Sequence, residues 1–315
     1  MATSNSENLA TTGRELVLTA YNILGHYGFD VANINSAASE TYALRLLNWY
    51  MKHIQSHSSF LWKKSTAYIF VQADKYSYIS GTDHITESYV TTLTTAAASA
   101  SGTTLTVSST TGMTTGDQIL IPKADDTYQN TTVTVASSTS LTLGTGLAEA
   151  LASGSRIYTY TSKIGKPFRV FKVYRREHTS TSYSDIPIDM VSYDDYQADT
   201  SDKTSTSGIL EVAYLPRRLT GTFFVSKETN SLNHIAAVTY EKVIEDIDTV
   251  ATDEPDFPAD FFLPLAYKLA YYLAFTLRFP PAIRQEIGIE ADRLIKQACD
   301  GNMEMAPVDF MVGRR

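Results

Sequence analysis

Two long amphipathic stretches meet at Pro280-Pro281 near the end of the chain, and they constrain its fold more than any other feature. Between Asp256 and Ala298 apolar residues recur every three or four positions, the period of a helix with one buried face. The first sixty residues carry the same period, while the middle of the chain is rich in Thr and Ser. Helices at both ends need a common core, so we predict that they pack together into one helical body.

The opening helices have recognisable start and stop signals. Thr12 and Glu15 have the T-x-x-E spacing of a capping box. We expect this first helix to run to Leu24, with Gly25 as a left-handed stop. A second helix is predicted over residues 37–58, and its apolar positions, spaced for one face, are Leu44, Leu47, Met51 and Ile54.

The closing helices are predicted to begin near Pro258 and at Pro281, with Gly301 as the final stop. Lys268 and Arg278 interrupt the apolar run of the first one, which favours a packed helix over a membrane span. Its apolar face comprises Phe262, Leu265, Ala266, Leu269, Tyr272, Leu273 and Thr276. The second presents Ile283, Ile287, Leu294 and Ala298.

The middle of the chain changes composition abruptly over residues 82–162, where charges thin out and Gly recurs at turns. Short alternating runs predict five strands, which are 104–108, 118–121, 132–135, 141–143 and 157–160. Strands at this spacing favour a small barrel or sandwich, because closure removes exposed strand edges. Further strands are predicted over 67–79, 168–174, 186–191, 209–214, 221–225 and 235–240, with a helical turn at 192–196.

The predicted fold class is therefore α+β: a helical bundle formed by the N- and C-terminal helices, a β-sheet section and an inserted small β-barrel or β-sandwich domain. Residues 1–81 would supply the first helices and strand of the main body, and 82–162 the insert. Residues 163–302 would return to the main body with the remaining sheet and the last helices. A docking tail is predicted over 303–315.

Charge and cysteine content narrow the function classes. A net charge of −8 argues against a dedicated nucleic-acid binder, which needs clustered Lys and Arg. It is compatible with a surface that DNA slides past. The single cysteine, Cys299, precludes an intrachain disulfide and a Cys-based zinc site. The 20 tyrosines fit surfaces that become buried on assembly, or simply a β-rich fold.

Candidate chemistry is sparse. His53 and His57 have the i, i+4 spacing that can grip a metal, but no third ligand lies nearby in sequence. Acidic residues at 253, 254 and 256 precede a helix, where negative charge is favourable in any protein. Neither a G-x-S-x-G elbow nor a phosphate-binding Gly/Lys loop is present. We therefore expect a protein that is not an enzyme, with no catalytic residues, cofactor or metal.

The C-terminal tail is the strongest candidate for a binding element. It joins an apolar strip to two terminal arginines, a composition suited to adding a strand to a partner or filling a groove. The alternative is a frayed chain end. The predicted docking residues are Val308, Phe310, Met311, Arg314 and Arg315.

Three stretches resemble the head-to-tail adaptors of short-tailed bacteriophages, the family of tail accessory and tail tubular A proteins. They are the helix around Leu44–Met51 followed by Phe60-Leu61-Trp62, the section from Lys166-Pro167 to Tyr196, and Asp256-Phe257-Pro258 leading into Leu265–Ala270. The resemblance implies a virion protein that forms a homo-oligomeric ring of twelve copies. It also implies docking on the portal protein, extension of the DNA channel and attachment of the tail nozzle protein.

The same resemblance places the protein in the tail or neck of the virion after assembly in the host cytoplasm, with no membrane partner. Tail fibres are a further candidate partner, and genomic DNA would pass through the lumen without specific binding. Two alternatives come from other function classes. One is a receptor- or glycan-binding tail protein that uses the β insert, and the other is a peptidoglycan hydrolase.

Overall fold

The computed structural model describes residues 12–29, 37–58, 60–73, 75–179, 182–199, 212–214, 221–225, 232–248 and 253–301. They belong to two compact units. A helical unit combines the chain up to Lys63 with the chain from Ile244 onward, and a β unit comprises Lys64–Val243. The predicted α+β class, with a helical bundle and a small curled sheet, is confirmed. The predicted domain boundaries at 82 and 162 stay predictions.

The helices lie where the amphipathic pattern placed them. They are α1 (Gly13–Gly25), α2 (Ala37–His57), α3 (Tyr193–Asp199), α4 (Phe262–Thr276) and α5 (Pro281–Gly301), with 3-10 turns at Leu61–Lys63 and Ala259–Phe261. The predicted start near Pro258 is the start of the second 3-10 turn, whose Phe261 N–H donates to the Pro258 carbonyl. Among the described residues, no helix combines the length and apolarity needed to cross a membrane.

The beginning of α1 is as predicted, whereas its end is not. The Thr12 N–H donates to Glu15 Oε2 at 3.0 Å, and the Glu15 N–H donates to Thr12 Oγ1 at 3.3 Å, which completes the capping box. Gly25 is still helical, and His26 after it is right-handed at φ −61°. The left-handed residue is Gly28 at φ +89°, because one further turn closes with the Gly28 N–H donating to the Gly25 carbonyl.

One apolar core joins the four long helices of the helical unit. Helix α4 lies at its centre and contacts α1, α2 and α5. The buried positions include Leu16, Val17 and Leu24 of α1, Leu47 and Met51 of α2, Leu265, Leu269 and Leu273 of α4, and Ile287 of α5. Each large apolar side chain that is fully buried stabilises the fold by about 1.5–3 kcal/mol. The predicted face of α4 ends one turn early, since Thr276 at its last residue is exposed.

The β unit contains two sheets. The strands are β1 (Lys64–Phe70), β2 (Ser77–Ile79), β3 (Ile85–Thr86), β4 (Val90–Leu93), β5 (Thr104–Thr106), β6 (Gln118–Pro122), β7 (Tyr128–Ser137), β8 (Ser140–Leu143), β9 (Arg156–Tyr160), β10 (Pro167–His178), β11 (Tyr183–Met190), β12 (Val212–Tyr214), β13 (Thr222–Val225) and β14 (His234–Lys242). The larger sheet has the order β2-β13-β12-β11-β10-β14-β1-β3, and the smaller one β4-β9-β6-β7-β8-β5. Only β11 and β12 pair in parallel among the described strand pairs.

The smaller sheet curls until its edge strands meet. A bridge joins Thr94 to Val107, beyond the ends of β4 and β5, and the Thr95 N–H donates to the Thr106 carbonyl at 2.9 Å. All five strands predicted for the insert are present, and β4 is a sixth that was not predicted. The interior is filled by inward-facing residues of successive strands, among them Leu105, Ile119, Val133, Leu141 and Ile157.

Strands β6 and β9 bury both of their faces. Ile119 and Ile157 point into the curled sheet, while their neighbours Leu120 and Tyr158 join a second core. That second core also contains Phe70 of β1, with Tyr128, Tyr160 and Ile235. The curled sheet and the larger sheet are therefore packed together within the β unit.

Candidate functional site

The predicted docking residues Val308, Phe310, Met311, Arg314 and Arg315 lie outside the residues that the structure describes. Docking through this tail stays a prediction.

The histidine pair of α2 is turned towards its own helix. The imidazole rings of His53 and His57 lie 4.4 Å apart between centroids. His57 Nδ1 is 3.0 Å from the His53 carbonyl oxygen and 2.8 Å from Ser56 Oγ, so local hydrogen bonding occupies this nitrogen. Within the described part of the chain, no group of three or more His, Cys, Asp and Glu side chains is arranged to hold a metal ion.

A polar clasp fastens the returning chain to α2. The Asn48 amide donates to the Ile247 carbonyl and accepts from the Ile247 N–H, both at 3.0 Å. One turn on, Lys52 donates to the Ile244 carbonyl, and Gln55 Oε1 accepts from the Ile244 N–H at 3.0 Å. Because positions 48, 52 and 55 lie on one helix face, their side chains can all reach the backbone of residues 244–247.

Beside this clasp runs a groove of about 360 Å³, lined by Leu44, Arg45, Trp49 and Lys52 on one side and Asp246 on the other. Lys52 Nζ lies 3.2 Å from Asp246 Oδ1 across it. Trp49 projects from the rim with 64% of its surface exposed. Tryptophan is among the residues most enriched at the centres of protein interfaces, which makes this rim a candidate contact surface.

Other large apolar side chains are exposed on the helical unit. Leu263 and Phe275 of α4 are about half exposed, and Ile289 of α5 is 63% exposed. Single exposed apolar residues are ordinary in soluble proteins. Their presence on two of the long helices nevertheless gives the unit several places where a neighbouring molecule could bury apolar surface.

The β unit contains an arginine held between two aromatic rings. The Arg176 guanidinium lies 3.8 Å from the ring centroid of Tyr183 and 4.9 Å from that of Tyr68. It also makes a bidentate pair with Asp185, its partner across the β10–β11 register, at 2.8 and 2.7 Å. The hydrogen bonds from Arg176 lower the pKa of Asp185, so this pair remains ionised at neutral pH.

A half-buried histidine, His178, lies next to this arginine. Tyr89 Oη is 2.8 Å from His178 Nε2. Burial, followed by the nearby charges of Arg156 and Arg176, lowers the pKa of His178 to about 4. His178 is therefore neutral at neutral pH, and the positive charge at this end of β10 resides on the arginines.

The cluster around His178 was not predicted from the sequence. Its members come from β4, β9, β10 and β11 and the chain before β4, and only strand pairing brings them together. The charged run Arg175-Arg176-Glu177-His178 at the end of a strand is a visible signal, but its partners lie up to 89 residues away.

No protein-family model matches this sequence, and no curated protein is significantly similar to it.

Proposed function

We propose that this protein is a structural component of the neck of a short-tailed bacteriophage, where it acts as a head-to-tail adaptor. In this role copies of the chain form a ring that docks on the portal protein, extends the DNA channel and carries the tail nozzle. The role requires stable packing and defined surfaces, and it requires no chemical step.

The observation that carries the proposal is the helical unit. Segments from the two ends of the chain, separated by the whole β unit, share one apolar core and are fastened by the Asn48 clasp. In the sequence, the β unit is therefore inserted between the two segments that build this helical core. Two of the three stretches that resemble head-to-tail adaptors, around Leu44–Met51 and Leu265–Ala270, belong to this helical unit.

Two further properties support the proposal. The net charge of −8 disfavours retention of DNA by electrostatic attraction, as a channel wall requires. The exposed Trp49, Phe275 and Ile289 provide apolar surface of the kind that is buried between subunits of a heterologous ring.

The test is co-expression with the portal protein of the same viral genome, followed by density-gradient sedimentation and negative-stain imaging. We expect the isolated protein to be largely monomeric by light scattering and to form a ring only on the portal. A stable closed ring without portal would refute the expectation that the portal is needed for ring formation. Failure to co-sediment with portal would refute the adaptor function.

A surface variant sharpens this experiment. Trp49→Ser should weaken ring formation, because it removes an exposed indole of the kind that is buried at interfaces. The helical core should stay intact, because this side chain is not part of it. Val135→Ser is a matched control, since Val135 is also about half exposed but lies on β7 of the curled sheet. Equal ring formation by both variants would remove Trp49 from the interface.

A further inference from the structure

The groove beside His178 has features that the adaptor function does not use. It has a volume of about 250 Å³ and lies between the curled sheet and the β10–β11 hairpin. Its lining includes Thr92, Ser108, Arg156, His178, Ser182 and Tyr183. We call it the Arg156 groove.

Arg156 is the charged residue of this groove whose hydrogen bonding is least complete. Its Nη1 donates to Thr91 Oγ1 at 3.3 Å, and its Nη2 donates to the Thr179 carbonyl. A guanidinium carries five N–H groups, so three of them have no acceptor among the residues that the structure describes. One of the three is Nε–H, which is sealed from solvent, and the other two are on the terminal nitrogens.

The charge of Arg156 is also uncompensated. No ion pair between described residues includes it, whereas the neighbouring Arg176 is paired with Asp185. His178 adds no charge at neutral pH. A lone guanidinium at a groove, in a chain with a net charge of −8, is suited to an anion that accepts two parallel hydrogen bonds.

The walls of the groove favour a ligand with hydroxyl groups. Ser108 is exposed on one wall, where its Oγ lies 2.9 Å from Oγ1 of the buried Thr92, and the exposed Ser182 lies on another. Hydroxyls both donate and accept, which matches the hydroxyls of a sugar. Tyr183 lines the groove and is 55% exposed, so its ring offers apolar surface for the C–H face of a pyranose.

We propose that the Arg156 groove binds the carboxylate of an acidic sugar residue, with Arg156 holding the carboxylate and the hydroxyl walls and Tyr183 holding the ring. The volume is below the range of about 300–1,000 Å³ typical of drug-sized ligands, so it fits a single sugar residue. An aspartate or glutamate of a protein partner would reach Arg156 but would leave the hydroxyl walls unused.

The experiment uses the full-length chain and saturation-transfer NMR titrations with methyl β-D-glucuronide and the methyl glycoside of N-acetylneuraminic acid. Methyl β-D-glucopyranoside is the matched neutral probe. Because hydrogen bonds to charged groups contribute about 1.5–3 kcal/mol, at least one acidic probe should bind about 10- to 100-fold more tightly than the neutral one.

Variants test the assignment to this groove. Arg156→Gln should reduce affinity for the acidic sugar about tenfold or more, and Ser108→Ala should reduce it severalfold. Ser108→Ala removes a single hydroxyl and is the variant to use if the arginine substitution disturbs folding. Arg293→Gln is the control, because Arg293 lies on α5 and pairs with Glu290.

Each other outcome overturns the proposal. Binding of neither acidic probe, or equal binding of the acidic and neutral sugars, would remove the acidic-sugar site. Unchanged affinity in a folded Arg156→Gln variant would place the site elsewhere. Equal binding of a blocked Gly-Glu-Gly peptide would show recognition of a protein carboxylate instead. The portal experiment does not involve this groove, so either proposal can fail alone.

Discussion

Replacing Asn48 with leucine is the most direct test of whether the two ends of the chain stabilise each other. The Asn48 amide supplies both partners of the Ile247 backbone, at 3.0 Å each, and Ile247 is 2% exposed. Leucine has a similar size but no polar atoms, so it leaves a buried N–H and a buried carbonyl without partners. At about 1–2 kcal/mol for each, the free energy of unfolding should fall by about 2–4 kcal/mol.

The assay exploits the position of the tryptophans. The chain has two, Trp49 and Trp62, and both belong to the helical unit. Urea unfolding followed by tryptophan emission therefore reports on this unit selectively. Asn48→Leu should lower the midpoint without changing the slope. Asn130→Leu, at an exposed position on β7, should change the free energy of unfolding by less than about 0.5 kcal/mol.

An unchanged midpoint in Asn48→Leu would refute the argument that this clasp holds segment 244–248 on α2. Asn48→Asp separates the two hydrogen bonds. It keeps an acceptor for the Ile247 N–H but places a carboxylate oxygen against the Ile247 carbonyl. We therefore expect a loss at least as large as in the leucine variant.

Three further predictions concern pH, backbone strain and the tail. Acidification from pH 6.5 towards 4 should destabilise the β unit, because burial, and then the charges of Arg156 and Arg176, lower the pKa of His178 in the folded state only. Urea unfolding followed by far-UV circular dichroism should show a smaller loss of stability on acidification in His178→Gln than in the wild type, and an equal loss would contradict this. Arg278 has φ +57°, a left-handed conformation that costs an L-residue about 1–2 kcal/mol but costs glycine little. Arg278→Gly should therefore be more stable than Arg278→Ala in tryptophan-monitored unfolding. The reverse order would show that the backbone at this position is not strained. Deleting Pro307–Arg315 should abolish co-sedimentation with portal while leaving the urea midpoint unchanged, and intact binding would assign docking elsewhere.

The helical unit was largely predictable because its signals are local. Side chains three and four positions apart define a buried face, and a capping box defines a start, whatever the rest of the chain does. The end of α1 was mispredicted because a glycine permits a left-handed turn without requiring one. Gly25 remained helical, and Gly28 took the positive φ three residues later.

Short strands gave weaker signals. The strands predicted at 104–108, 132–135 and 141–143 alternate Leu or Val with Thr or Ser. In contrast, β4 (Val90–Leu93) has two threonines in succession, and Leu93 at its end is only half-buried. The site around His178 was beyond sequence reasoning for a different reason. Its geometry depends on register, which places Arg176 opposite Asp185 and Arg156 opposite Leu93. A shift of one residue would turn these side chains to the other face.

The number of tyrosines alone does not say whether they are buried within the folded chain or exposed for contact with another molecule. Tyr128 and Tyr158 are buried where the curled sheet meets the larger sheet, and both hydroxyls donate to the Leu232 carbonyl, at 2.9 and 3.1 Å. Tyr193 is half exposed, as an assembly surface would require. Folding therefore accounts for Tyr128 and Tyr158, while burial on assembly stays a prediction for exposed tyrosines such as Tyr193.

The two-faced burial of β6 and β9 also determines how the insert can be studied. Excising residues 82–162 would leave Leu120, Tyr128 and Tyr158 without Phe70 and Ile235, the partners that bury them in the intact unit. The excised fragment would expose a contiguous aromatic patch, and such patches promote association. Binding by the fragment alone would therefore be ambiguous. Substitutions in the full-length chain, which keep this second core intact, are the better test of what the curled sheet recognises.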